Sequence, residues 1–218
     1  MKKKNFNWYI LLLILGAIAI SIYFFSNKEN PEIEGLPTEV SKSLTEKDLE
    51  ELEEQDFKIH YGLTPPDIEG IYIANSLVID YDKNNPKAAG SPRASRQEYF
   101  FDQTSDNKVT KESTSLERRF IRVGEVGYLS GSKNCFSFFD IGETNSDYGC
   151  MVTTAEIVSG CLDAENNIED YQIAVLMLEH NSKILCEYLP KVFNTTPPIL
   201  PGNIRLVSER DGLAERGD

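Results

Sequence analysis

From Lys58 onward the chain is a succession of short apolar or alternating runs parted by polar turns, and no long amphipathic helix interrupts it. The runs are Ile68 to Ile73, Leu77 to Tyr81, Gln97 to Phe101, Lys108 to Thr114, Arg118 to Val123, Val126 to Ser130, Cys135 to Ile141, Gly149 to Cys161, Ile168 to Leu178 and Ile184 to Tyr188. Gly142 to Asp147, Asp163 to Asn167 and His180 to Lys183 supply the Gly, Asn, Asp and Ser that tight connections need. Many strands joined by short turns specify an antiparallel barrel or a barrel-like sandwich. The missing crossover helices argue against a doubly wound α/β fold.

The faces of the strands carry a second message. In Ile168 to Leu178, Tyr171, Ile173, Val175 and Met177 alternate with Gln172, Ala174, Leu176 and Leu178, so both faces are apolar over much of the strand. Phe136, Phe138 and Phe139 repeat this two-sidedness. One face is expected to fill the interior and the other to meet a covering segment such as the acidic helix or the Pro-rich tail, with an exposed apolar patch for a partner as the alternative. Gly124 and Gly127 predict a bend between two strands, and the tail predicts one short strand over Ile204 to Val207 followed by a frayed end.

Residues 28–57 read as an acidic linker with a short helix. Positions 28–43 are rich in Pro, Glu, Ser and Thr and predict a flexible spacer. Thr45 with Asp48 matches a capping box and opens a helix through about Gln55. Its apolar positions are Leu49 and Leu52, flanked by Leu44 and Phe57. That narrow stripe suits light docking on the domain over residues 58–218 better than a coiled coil, which needs several heptads.

Residues 1–27 read as a membrane anchor. Lys2, Lys3 and Lys4 precede an apolar run from Trp8 to Phe25, about the length needed to cross a hydrocarbon core of ~30 Å. The lysines hold that end in the cytoplasm and place the rest extracytoplasmically, in a periplasm or at a cell surface. A cleaved signal peptide is the alternative, with Ala17-Ile18-Ala19 as its processing site. The first 27 residues hold three lysines and no acid, leaving 19 basic against 35 acidic side chains. Such a surface repels nucleic acid and anionic headgroups.

Cys135, Cys150, Cys161 and Cys186 all fall in the exported portion. Their even number suits disulfides in any of three connectivities, and their spacing lacks C-x-x-C redox or zinc patterns. Buried thiols are the other reading.

Pro65-Pro66-Asp67-Ile68-Glu69-Gly70-Ile71-Tyr72, with a Pro-Pro turn leading into a Gly-x-Tyr strand, resembles the opening of lipocalin-like envelope domains of Bacteroidetes-type bacteria. The hairpin from Gly149 to Leu178 is similar in texture, and the resemblance covers about residues 60–190. Tyr72 stands where lipocalins proper carry Trp. The resemblance implies a calyx-like β-barrel with a ligand cavity.

Catalytic patterns are missing. His60 and His180 are the only histidines and belong to no H-x-x-x-H pattern, and no G-x-S-x-G elbow occurs. Asp163 to Asn167 lacks the ligand ladder of a calcium loop. No catalytic residue, metal or cofactor is assigned. The expectation is therefore a lipocalin-like antiparallel β-barrel behind an N-terminal transmembrane helix. It would bind a small apolar or amphipathic envelope molecule through Tyr72, Phe100, Phe120, Tyr128 and Met177, with a protein-interaction module of an envelope assembly as the alternative.

Overall fold

The computed structural model describes residues 31–115, 121–145, 151–180 and 204–217. The elements, in chain order, are α1 (Thr38–Ser43), α2 (Glu46–Glu53), β1 (Leu63–Thr64), β2 (Gly70–Ala74), β3 (Leu77–Asp82), β4 (Arg96–Phe101) and β5 (Lys108–Ser115), with a single 3-10 turn at Pro86–Ala88 between β3 and β4. The chain continues through β6 (Ile121–Ser132), β7 (Cys135–Asn145), β8 (Met151–Leu162), β9 (Ile168–His180), β10 (Ile204–Glu209) and β11 (Leu213–Arg216).

The strands close on themselves. The ring runs β2-β4-β5-β6-β7-β8-β9-β11 and returns to β2, every pairing antiparallel, which makes an eight-stranded barrel. A closed ring removes the free edges that an open sheet would present, and the choice between barrel and sandwich falls to the barrel. β3 and β10 extend β2 and β11 and pair with each other. Both extensions are interrupted at the same level. There the Ser76 N–H donates to both carboxylate oxygens of buried Glu209 (2.9 and 2.8 Å), and the Arg210 N–H donates to the Ser76 carbonyl (3.1 Å).

Two sequence expectations change here. β6 is one strand where two were expected, with Arg118 to Phe120 outside the described residues. A register shift opposite Lys111 and Ser113 marks an irregularity near the glycines without breaking the strand. Gly127 serves packing instead, because a Cβ there would lie 2.3 Å from the Phe138 ring. The frayed tail is also corrected: β11 closes the barrel, turned by Gly212 at φ 71° and held by buried Ala214.

Apolar residues fall into two layers. Inside the barrel, Ile68, Tyr72, Phe100, Val109, Leu129, Phe136, Phe138, Val158 and Tyr171 pack together. Outside it, Phe139, Ala155, Ile157, Ala174, Leu176, Ile204 and Leu206 form an apolar face covered by Leu36, Val40, Leu44, Leu49, Leu52, Phe57 and Ile59. The two-faced strands thus have the covering segment their sequences require. The spacer expected over residues 28–43 is corrected from Leu36 onward: α1 is a helix whose Val40 is fully buried.

The capping box of α2 is present as expected. The Asp48 N–H donates to Thr45 Oγ1 (3.2 Å), and the Thr45 N–H donates to Asp48 Oδ2 (2.9 Å). Thr45→Ala is expected to destabilise the domain by about 1 kcal/mol, measurable as a shifted urea midpoint with an unchanged slope.

After α2 the chain crosses the strands in extended form. Ser130, Ser137, Ser159 and Gln172 lie in register across β6 to β9. The Lys58 N–H donates to Gln172 Oε1 (2.9 Å), the His60 N–H to Ser137 Oγ (2.9 Å), Ser159 Oγ to the Lys58 carbonyl (2.5 Å), and Ser130 Oγ to the His60 carbonyl (2.6 Å). This polar row satisfies a backbone segment that no sheet ladder reaches.

Among the described residues no helix is long and apolar enough to cross a membrane. The anchor expected over Trp8 to Phe25 lies outside them.

Candidate functional site

Strand alternation puts residues 96, 98 and 100 of β4, 109 to 115 of β5 in steps of two, 136 to 140 of β7 and 154 to 158 of β8 on the inward face. Along each strand that face turns polar in the same direction. It runs Phe100, Glu98, Arg96 on β4; Val109, Lys111, Ser113, Ser115 on β5; Phe138, Asp140 on β7; and Val158, Glu156, Thr154 on β8. The barrel therefore has an aromatic floor and a charged upper interior, nearer the β5–β6 and β7–β8 connections.

The floor is built from edge-on rings. Tyr72 and Phe100 lie 6.0 Å apart between centroids, and Phe100 and Phe138 lie 5.3 Å apart. Above them Lys111 is 1% exposed, with Nζ 5.2 Å from the Phe138 ring centroid, 2.5 Å from Glu156 Oε1 and 3.9 Å from Asp140 Oδ2. Arg96 Nε sits 2.5 Å from Glu98 Oε1, while its terminal nitrogen donates to Ser113 Oγ (3.0 Å) and also reaches Glu156 Oε1. The Tyr171 hydroxyl donates to Glu98 Oε1 (3.1 Å).

Burial and charge act together on these groups. Burial raises the Glu98 carboxyl, although Arg96 and Lys111 oppose it. Burial and then the Glu98 charge push the Tyr171 phenol well above its ordinary value, so it stays a neutral donor. Burial disfavours the Arg96 charge, but the Glu156 and Glu98 carboxylates outweigh it and raise that group.

Three buried oxygens of this interior have no hydrogen-bond partner among the described residues: Tyr72 Oη, Glu98 Oε2 and Ser115 Oγ. Such groups are uncommon in folded proteins, and each costs roughly 1–3 kcal/mol, more when charged.

The expected lining residues divide. Tyr72 and Phe100 form the floor, and Met177 is buried on the inward face of β9, paired in register with Thr154. Tyr128 is corrected: it is half-buried on the outer face beside the covering helices, because Leu129 takes the inward place on β6. Phe120 lies outside the described residues. The charged cluster of Arg96, Glu98, Lys111, Asp140 and Glu156 was not anticipated. Each charge occupies the apolar phase of its own strand, but that four strands bring them to one level follows only from the register.

Cys135 and Cys161 are register partners on β7 and β8 and are joined in a disulfide. Cys150 and Cys186 lie outside the described residues. His60 Nε2 is 3.9 Å from Cys161 Sγ, and burial lowers its basicity. His60, Cys135 and Cys161 bring three potential ligand atoms within 4.8 Å of one another, but the disulfide commits both sulfurs to each other, whereas a metal takes free thiolates.

The chain matches no protein-family model, no curated protein and no solved structure.

Proposed function

We propose that this chain is a membrane-anchored, extracytoplasmic binding protein of lipocalin-like architecture. It holds a small apolar or amphipathic envelope molecule inside its barrel and acts by binding, without catalysing a reaction. The observation that carries this reading is the interior itself: a closed barrel with an aromatic floor and, above it, buried oxygens that lack partners among the described residues. A guest with an apolar body and a polar end complements both layers. The alternative, a protein-interaction module of an envelope assembly, draws on less, since the exposed large hydrophobics of the described surface are Tyr61, Leu63 and Val126.

Native mass spectrometry of the full chain, recovered from its own envelope without reduction, tests the proposal. A discrete co-purifying mass of a few hundred daltons, about that of a pocket-filling small molecule, is the expected result. An apo mass alone, or a complex with another protein, would reject the container reading.

A further inference from the structure

Resting on that reading, we infer that the guest carries a hydrogen-bond-donating cationic head, a protonated amine, that docks on Glu98 Oε2 in the upper barrel. The complementary chemistry follows from which interior valences are filled. Lys111 is engaged by Glu156 and Asp140, and Arg96 by Glu98 and Glu156. Both described cations of this cluster already face carboxylates. A carboxylate or phosphate head placed here would meet Glu98, Asp140 and Glu156 as like charges in a poorly screened interior.

The open valence has the opposite sign. Glu98 is 1% exposed, its Oε1 accepts from Tyr171 and faces Arg96, and its Oε2 has no partner among the described residues. Ser115 Oγ, on the same inward face of β5 and in register with Arg96, is likewise unpartnered. An ammonium group offers three donors. One satisfies the carboxylate oxygen through a charge-assisted bond and another suits the serine hydroxyl. Phe100, Phe138 and Tyr72, set edge-on to one another in the buried interior, are the rings an apolar body would pack against.

Calorimetric titration of the full chain in detergent with heptylamine, heptanoate and heptanol tests the head, with empty micelles as the blank. Heptylamine should bind at least tenfold tighter than heptanoate, and its advantage over heptanol should fall at least tenfold in Glu98→Gln. Equal or tighter binding of heptanoate would overturn the amine assignment and leave the container reading standing. An undiminished amine advantage in a folded Glu98→Gln variant would do the same. Failure of all three probes to bind would overturn the container reading and this inference with it. The comparison within the native chain needs no variant, so misfolding of Glu98→Gln leaves the test decisive.

Discussion

Lys111→Met should destabilise the domain by about 3–5 kcal/mol, because it breaks a buried ion cluster. Glu156 loses one of the two described cations that face it, keeping Arg96, and Asp140 loses the Lys111 ammonium. Lys111 is 1% exposed, and its ammonium lies 2.5 Å from Glu156 Oε1 and 3.9 Å from Asp140 Oδ2. Methionine keeps nearly the same stem on the Phe138 ring, so the packing loss is small and the charge term dominates. For a chain of this size the melting temperature should drop by roughly 10 °C or more. The double variant Lys111→Met/Glu156→Gln should recover much of that loss, since it removes the carboxylate charge along with the cation that balanced it. If the single variant melted like the native protein, the cluster would not be the desolvated ion network described above.

Leu44→Ala and Leu52→Ala should each cost about 2–5 kcal/mol, the range for truncating a fully buried leucine. Both side chains are 0% exposed and rest on the outer barrel face formed by Phe139, Ala155, Ile157, Ala174, Leu176, Ile204 and Leu206. The test is sharp because residues 28–57 have the composition of a linker, and a true linker would tolerate both changes without a measurable effect. Urea unfolding followed by circular dichroism would decide it, with a lowered midpoint expected for each variant. An unmoved midpoint would mean the N-terminal segment does not cover the barrel.

What the sequence made legible was periodic and local. Alternation located most of the strands, the Thr45–Asp48 box located α2, and the two apolar faces of β9 announced a cover before any cover was visible. What it concealed depends on distant partners. β11 is four residues ending in Glu215 and Arg216, and it is a strand only because β2 and β9 offer it edges on both sides. Leu36, Val40 and Leu44 lie four residues apart among acids and hydroxyls, so composition masked a stripe that the barrel face makes worth burying. The charged interior was hidden for the same reason. Arg96, Glu98 and Lys111 look solvated one strand at a time, and only register brings Asp140 and Glu156 to meet them.

The covering segment also bears on how the protein is made. A chain emerges from the ribosome N-terminus first, so Leu36 to Ile59 are synthesised before the barrel surface that shelters them. That surface includes Ile204 and Leu206 on β10, which follows nine other strands in chain order. Every strand through β10 must exist before these apolar side chains find their full seat. The segment is therefore made before its shelter and is among the last to be protected, and it is where a chaperone would have most reason to hold on.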